Sequence, residues 1–346
     1  MSARLAGLIA LAGVAGVAGV ACTHDKPAAH VIPTASGERE TEARRDERFK
    51  SELQEDILAS YERDEPPEIE TDMIRPEIGA ARIGVGPGDL LVADELLRAP
   101  SRWPLYVDRD TPTQAVSKHL DAHHIWLARD RSAAWVFDEV SWRITVCART
   151  AVVPLRMTAL YAHDGDRWIP VFEHLSFAHT PAAAADGALR GSELKSKKMP
   201  EIVDELSRVL ARGLLKGNPD LADMGAEPLL LGPDLSDEWT GAALAKARLV
   251  ATTLTAEDRR VGIVGRTFGK ATIAYWVGNF DADFPSRPGA SGGKIRLRGT
   301  FVFQKVAGAW KLVQGHLSEP IDDIDLATAV FGTALVSLNP LRVSCE

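Results

Sequence analysis

The sequence predicts an α+β protein built from two tandem copies of one domain. Residues 155–176 align without a gap to residues 297–318, and both segments follow the pattern Arg-x-Thr, Trp, His-Leu-Ser. Each segment also ends a stretch in which a helical pattern comes first and strand patterns come last, which is the order of an α+β fold. Self-similarity of this kind indicates a duplicated structural unit.

The two copies share residue types at matched positions, and a polar turn interrupts each pair of final strands. The matched pairs are Arg156 with Arg298, Thr158 with Thr300, Trp168 with Trp310, Val171 with Val313, His174 with His316, and Ser176 with Ser318. Further upstream, the letters match Trp135 with Trp276 and Gly86 with Gly232. Asp164-Gly165-Asp166 and Ala307-Gly308 predict the two hairpin turns.

Each copy begins with a periodic apolar pattern that predicts an amphipathic helix. In the first copy the apolar residues recur every four positions, at Phe49, Leu53, Ile57 and Tyr61. In the second copy the same spacing follows Pro200, at Ile202, Leu206, Leu210 and Leu214. A shorter helix is predicted in the first copy because Thr111 and Gln114 form a capping box, with Pro112 at the first helical position.

At these residues the chain resembles the SnoaL-like branch of the nuclear transport factor 2-like superfamily, which also contains ketosteroid isomerases and polyketide cyclases. The resemblance rests on the Arg-x-Thr and His-x-Ser strands and on residues 232–241. It implies cone-shaped domains, each a curved antiparallel sheet wrapped around a long N-terminal helix. It also implies pairing through the sheets, as an internal pseudo-dimer or a homodimer. The isomerases' catalytic set has no residue-by-residue match here, so the catalytic residues stay unknown.

Composition divides the chain into segments. An apolar run behind Arg4 predicts an export signal, and Gly19-Val20-Ala21-Cys22 resembles a bacterial lipoprotein box. We therefore expect Cys22 to carry a lipid that anchors an exported protein in the outer membrane or facing the periplasm. The expected segments are a signal peptide (1–21), a tether (22–45), a first domain (46–181), a second domain (199–320) and a C-terminal helical extension (321–346).

Net charge and cysteine content limit the classes of partner and cofactor that we expect. The net charge is −8 with both signs interspersed, which argues against a nucleic-acid partner. Three cysteines are too few for a structural zinc site, and neither a metal nor another cofactor is predicted. Cys147 and Cys345 could pair in an oxidising compartment, or stay a buried apolar residue and a terminal thiol. His119 and His123 have metal-ligand spacing, but no Glu follows His119 and the second copy has no equivalent.

Strand alternation places the pocket candidates on one face of each final strand: Trp168, His174 and Ser176, and Trp310, His316 and Ser318. The histidines could line a pocket as proton-transfer groups, or could hydrogen-bond their neighbours and close the sheet. Arg156 and Arg298 fall on the other face of the preceding strand from its large apolar residues, either at an interface or near an anionic ligand.

These features predict non-catalytic binding of a small apolar ligand or a protein partner in the cell envelope. The alternative is an isomerase- or cyclase-type enzyme that works in one cone. The two hypotheses differ in what they predict for the interior of each domain. An enzyme would bury a carboxylate or histidine with a shifted pKa in an open pocket, whereas an interaction module would fill its cones with side chains.

Overall fold

The computed structural model describes part of the chain. The described residues are 40–62, 81–85, 90–92, 113–120, 124–146, 148–177, 200–217, 224–234, 236–241, 243–244, 248–267, 270–286, 288, 291–321, 325, 328, 336–338 and 341–343. All of them except Glu40 belong to one compact unit, Thr41–Glu346. We call residues 41–177 the first half and residues 200–321 the second half.

Each half begins with a helix, and most of its other described residues form strands. The first half contains α1 (Glu42–Glu62), β1 (Ala81–Ile83), β2 (Leu90–Val92), β3 (Thr113–Ser117), β4 (Ile125–Leu127), β5 (Ala133–Val146), β6 (Arg149–His163) and β7 (Trp168–Phe177). The second half contains α2 (Pro200–Leu214), β8 (Met224–Leu231), β9 (Glu238–Thr240), β10 (Thr253–Thr267), β11 (Lys270–Phe284), β12 (Gly293–Val306) and β13 (Ala309–Ser318). A short hairpin follows, formed by β14 (Val336–Leu338) and β15 (Leu341–Val343).

The strands form two sheets of the same design. The first has the order β2-β1-β7-β6-β5-β3, with β4 also paired to β5, and the second has the order β9-β8-β13-β12-β11-β10. In each sheet one short strand runs parallel to the last long strand, β1 beside β7 and β8 beside β13, while the other pairs are antiparallel. The long β10 therefore occupies the place that β3 and β4 share in the first sheet.

The strand register corrects one of the predicted equivalences. Trp135 pairs with Leu160, and Tyr275 pairs with Val302 at the matching position of the second sheet. Trp135 is thus equivalent to Tyr275, and the predicted match with Trp276 is wrong by one residue. Because strand side chains alternate between faces, Trp135 and Trp276 point to opposite sides of their sheets.

The prediction of a capped helix beginning near Thr111 is also wrong for the residues that the structure describes. Residues Thr113–Ser117 form β3, which pairs with β5 from Thr113 opposite Ile144 to Ser117 opposite Val140. The long β5 offers an unpaired backbone edge there, and pairing with it satisfies donors and acceptors that local capping would otherwise have to satisfy. Thr111 and Pro112 lie outside the described residues.

The structure differs from the predicted segments at the end of the tether and in the C-terminal extension. The N–H of Arg44 donates to the hydroxyl of Thr41, and α1 begins at Glu42, so residues 42–45 are helical rather than part of the tether. The predicted C-terminal helical extension has helical residues at Asp325 and Thr328, but it also contains the β14–β15 hairpin. The signal segment, Cys22, Gly86, His123, Cys147 and Cys345 lie outside the described residues. Among the described residues, neither helix is long and apolar enough to cross a membrane.

The core has three parts. Leu53 and Ile57 of α1 pack with buried residues of β5 to β7, and Leu206 and Leu210 of α2 pack in the same way in the second half. The other faces of the two sheets pack against each other, as Phe172 does against Tyr275, with ring centroids 6.2 Å apart. Each side chain buried in this way contributes roughly 1.5–3 kcal/mol, so the contact between the halves is a major part of the fold.

Candidate functional site

A β-bulge in each final strand divides the predicted face of pocket candidates. In β7 the bulge lies at Val171, between the pairs Tyr161–Pro170 and Leu160–Phe172, and in β13 it lies at Val313. A bulge adds one residue and reverses the alternation that follows it. Trp168 and Trp310 therefore pack in the cores beside α1 and α2, while the histidines and serines beyond the bulges face the other half.

His174 and His316 stack on each other in the contact between the halves. Their ring centroids are 3.8 Å apart, and the rings are inclined by 21°. Nδ1 of His174 lies 3.1 Å from Oγ1 of Thr300, and its Nε2 lies 2.7 Å from Oγ of Ser318. His316 makes the reciprocal contacts with the first half, at 3.0 Å to Thr158 and 2.8 Å to Ser176. Both halves thus contribute the same three-residue set, one Thr, one His and one Ser, to one pseudo-symmetric network.

The surroundings keep the two imidazoles neutral. Burial lowers the pKa of both histidines well below the usual value, and the charge of Arg298 lowers the pKa of His174 further. Each neutral ring has one donor and one acceptor nitrogen, and its two hydroxyl partners satisfy both. Both rings have no exposed surface, so a ligand in solvent cannot reach them. The network joins the two halves and is unsuited to proton transfer with a bound molecule.

Arg156 binds the loop that begins at Gly232 in the second half. Its guanidinium group donates from Nη2 to the carbonyl oxygen of Gly232 at 2.9 Å and from Nη1 to that of Asp234 at 3.2 Å. Gly232 allows the loop to close tightly, because a Cβ there would lie 2.6 Å from Asp237. Arg156 is 1% exposed, and Arg298, at the equivalent position, is completely buried. Both arginines therefore lie in the interior of the paired halves.

The first half buries the carboxyl group of Asp138. The alternation of side chains along β5 could have predicted the face on which it lies, but no sequence motif marked it as functional. Asp138 of β5 is fully buried on the face beside α1, where its oxygens accept from the hydroxyls of Tyr61 at 2.9 Å and Ser117 at 2.8 Å. Burial raises the pKa of Asp138, against the lowering effect of these two hydrogen bonds. A carboxyl of this kind keeps its proton to higher pH than usual, and it connects α1 with β3 and β5.

The second half has no carboxyl group at this position. Asp138 pairs with Met157 and Gly278 pairs with Gly299, so Gly278 is the equivalent residue. A Cβ at Gly299 would lie 2.8 Å from the rings of Phe280 and Phe301, which shows how closely aromatic side chains fill this core. Among the described residues, the buried rings of this core are those of Trp239, Trp276, Phe280, Phe301, Phe303 and Trp310. The interior of the second half is packed with apolar side chains.

A groove of about 430 Å³ lies between the two halves. We call it the interhalf groove. From the first half it is lined by Asp46, Lys50, Ile125, Trp126, Leu127 and Trp135. From the second half it is lined by Ala226, Glu227, Gln304 and Val313. Its volume falls within the range of roughly 300–1,000 Å³ that is typical of small-molecule sites.

The walls of the interhalf groove follow from the strand geometry. Trp126 and Trp135 are directly opposite each other on β4 and β5, so their rings occupy neighbouring positions on one face. The bulge turns Val313 towards the groove, and Gly225 leaves room for it, since a Cβ there would lie 2.7 Å from the Val313 side chain. Both features aim large apolar groups at one concave surface.

The turn after β4 holds one end of the interhalf groove. Arg131 has a positive φ of 57° and donates from Nε to the Asp46 carboxylate at 2.6 Å. Asp130, in the same turn, accepts at 3.2 Å from the hydroxyl of Thr272 in the second half. The turn therefore fixes the wall to α1 and to the neighbouring half, and Arg131 neutralises Asp46.

The groove residues form no sequence motif, because they come from six elements spread along the chain. The pattern from Ile125 to Trp135 did carry a usable signal. An apolar triplet, a polar turn at Asp130-Arg131 and a second apolar run are typical of a hairpin. A hairpin assigned to this segment would have placed Trp126 beside Trp135.

The histidine pair considered for a metal is only partly described, with His119 2.8 Å from the Glu139 carboxylate. No cluster of three or more metal-ligating side chains occurs among the described residues.

One family model matches part of the chain. Residues 222–322 match the SnoaL-like domain family. Among solved structures, an NTF2-like protein of unknown function from Prochlorococcus marinus has 15% identity and covers 36% of this chain and 97% of its own, with a TM-score of 0.28. An NTF2-like protein of unknown function from Pseudomonas putida has 14% identity over 36% and 87%, with a TM-score of 0.27. The association domain of C. elegans CaMKII has 15% identity over 34% and 92%, with a TM-score of 0.23.

A search of curated proteins finds no match to the chain. The match to the SnoaL-like family begins just before β8 and ends just after β13, so it covers the second sheet and the loop that receives Arg156. Residues 222–322 are therefore similar to a SnoaL-like domain.

Proposed function

We propose that the protein is a non-catalytic binding protein of the cell envelope, in which two SnoaL-like domains form an internal pseudo-dimer and hold a small apolar ligand in the interhalf groove. The groove itself is the observation that carries this proposal. It combines a suitable volume with the paired rings of Trp126 and Trp135, and apolar and aromatic walls are typical of small-molecule sites.

The reciprocal network around His174 and His316 supports the internal pairing. The sheet faces through which such domains would otherwise meet a second chain are already buried against each other. We therefore expect light scattering to give the mass of one chain. A mass of two chains would replace the internal pair with a homodimer as the functional unit.

The test of ligand binding uses the neutral apolar dye N-phenyl-1-naphthylamine, whose fluorescence rises on transfer from water to an apolar site. We expect saturable binding to the intact protein and at least about tenfold weaker binding to Trp126→Ala, which removes one wall. Ala226→Trp fills the groove from an exposed position and should have the same effect without opening a cavity.

Val152→Ala is the matched control, because Val152 is an apolar residue outside the groove with 52% of its surface exposed. Its affinity for the dye should equal that of the unchanged protein. If no dye binds, or if Ala226→Trp binds it as well as Val152→Ala does, the groove is not a ligand site. A protein partner would then be the remaining candidate for the binding function.

Asp138 favours a second candidate function, an isomerase- or cyclase-type enzyme that uses the interior of the first half. A carboxyl with a raised pKa beside the Tyr61 hydroxyl can donate or accept a proton at a carbonyl compound. Because Asp138 is fully buried, this candidate requires the substrate to displace side chains beside α1 in order to reach it. The assay is the conversion of a β,γ-unsaturated ketone to its conjugated isomer, followed by ultraviolet absorbance. Asp138→Asn should abolish turnover, whereas Glu55→Gln, at an exposed position of α1, should keep it. No turnover by the unchanged protein would contradict this candidate.

Export and anchoring complete the proposal. We propose that the signal peptide is removed before Cys22, that Cys22 is acylated, and that the residues before α1 tether the domains to the outer membrane or to a membrane surface that faces the periplasm. In a bacterial host supplied with radiolabelled palmitate, we expect label in the protein and partition into detergent. Cys22→Ser should lose both. A Cys22→Ser variant that stays labelled would exclude this anchor.

A further inference from the structure

The interhalf groove carries two charged groups of opposite sign that have no ion-pair partner among the described residues. Lys50, on α1, supplies an ammonium group from the first half, and Glu227, on β8, supplies a carboxylate from the second. The third charged residue of the lining, Asp46, is already paired with Arg131 at 2.6 Å. The described part of the groove lining thus presents one positive and one negative group without an ion-pair partner among the described residues, one from each half.

This balance selects the net charge of the occupant. An anion would leave Glu227 uncompensated beside it, and a cation would do the same to Lys50, so each would meet repulsion as well as attraction. An uncharged apolar molecule, such as the neutral dye, can bind the apolar walls but leaves both charged groups without a partner, so it does not use the whole site. A molecule with one carboxylate and one ammonium group compensates both.

The remaining walls define the body of the occupant. The cross-strand pair Trp126 and Trp135 offers aromatic surface, and Ile125 and Val313 are almost entirely buried around it. Flat apolar groups gain most from such a surface, because offset stacking adds to the effect of burial. Gln304 can both donate and accept a hydrogen bond at the polar side of the ligand.

We infer that the interhalf groove binds a zwitterion with a flat apolar side chain, of the aromatic α-amino acid class, whose carboxylate pairs with Lys50 and whose ammonium group pairs with Glu227. This inference rests on the proposed binding function and specifies its ligand class. The ring of the ligand lies against Trp126 and Trp135, and the two charged groups bridge the two halves.

Isothermal titration calorimetry at neutral pH with three matched probes tests the inference. The probes are 2-naphthylalanine, its methyl ester, which keeps only the cation, and its N-acetyl derivative, which keeps only the anion. The free amino acid should bind about tenfold more tightly than either derivative, as expected when one charge-assisted contact is lost in each. Lys50→Met should remove its advantage over the methyl ester. Glu227→Gln should remove its advantage over the N-acetyl derivative.

Lys270→Met and Glu55→Gln are the matched controls, since both residues are exposed and outside the groove. Both should keep the full preference for the zwitterion. If all three probes bind equally, or if Lys50→Met and Glu227→Gln leave the preference unchanged, the zwitterion inference is wrong while the groove remains a binding site. If none of the probes binds and the neutral dye also fails to bind, the proposed function itself is wrong.

Discussion

At equivalent positions beside their helices, the first half carries Val136, Asp138 and Ala159, whereas the second carries Trp276, Gly278 and Phe301. The second half is filled by aromatic rings, and the first has smaller apolar side chains around a hydrogen-bonded carboxyl. The contact face shows a similar contrast. Trp126 and Trp135 line the interhalf groove, while their equivalents, Gly262 and Tyr275, pack flat on each other.

The difference separates residues that maintain the pairing of the halves from residues that specialise one half. Thr158, His174 and Ser176 recur in the second half as Thr300, His316 and Ser318, and each set binds the other across the contact. Asp138 and Trp126 have no counterpart, so no requirement common to both halves explains them. Groups present in only one half are therefore the better candidates for function.

The largest expected effect comes from giving the second half the carboxyl of the first. Gly278→Asp would bury an acid among aromatic rings, where Leu214 occupies the position that helix spacing matches with Tyr61. We expect a loss of about 4 kcal/mol or more in the free energy of unfolding, measured by urea denaturation. Gly278→Asn adds similar volume without a charge and should cost clearly less. Equal losses would show that packing, not charge, decides the difference.

Breaking the shared network should cost slightly less. His316→Ala removes a fully buried ring and leaves the hydroxyls of Thr158 and Ser176 without their partner, so we expect a loss of about 3 kcal/mol. His174→Ala should cost the same within about 0.5 kcal/mol, because the two sites are pseudo-symmetric. The control His119→Ala changes a side chain that is 41% exposed and should cost under about 1 kcal/mol. Unequal losses at the two buried sites would contradict the symmetry.

The buried pair His174 and His316 also predicts how the stability of the folded protein changes in acid. Because burial lowers the pKa of both histidines in the folded protein, the unfolded chain binds more protons as the pH falls below about 6.5. The stability from the neutral pair is present above that pH and is lost as the pH falls towards the folded pKa values. The double variant His174→Asn/His316→Asn should show a flatter dependence in urea denaturation between pH 7 and 5. An unchanged slope would contradict neutral buried rings.

The sequence predicted those features that depend on neighbouring residues. The hairpin turn at Gly165, the helix after Pro200 and the amphipathic stripe through Leu53 follow from local preference and periodicity. Local preference could not predict which side chains of β7 and β13 lie on which face of the sheet, because a bulge at Val171 or Val313 depends on the neighbouring strand. Residues around Gln114 join a strand rather than a helix for the same reason. The groove combines Lys50 with Gln304, and only tertiary packing brings them together.

A glycine substitution tests how the second half closes the site that is open in the first. Gly262→Ala places a Cβ 2.4 Å from the ring of Tyr275, so the ring must move within a packed contact. We expect a loss of about 2 kcal/mol in thermal or urea unfolding. Gly293→Ala, on the next strand but one, meets nothing within 4 Å and should change stability by under about 0.5 kcal/mol. A tolerated Gly262→Ala would mean that Tyr275 is not held flat on β10.

The smallest effect isolates the hydroxyl that the second half lacks. Tyr61→Phe removes one hydrogen bond to Asp138 and should cost about 1 kcal/mol. Since the folded pKa of Asp138 is raised above the unfolded value of 3.8, the stability from its protonated form is complete below that pH and is lost as the pH rises through the folded pKa. The Tyr61 hydrogen bond lowers this pKa, so Tyr61→Phe should extend the decline to higher pH. Asp138→Asn should remove it, because an amide does not titrate. Urea denaturation from pH 3.5 to 7 separates these outcomes, and an Asp138→Asn variant that keeps the decline would assign it to another group.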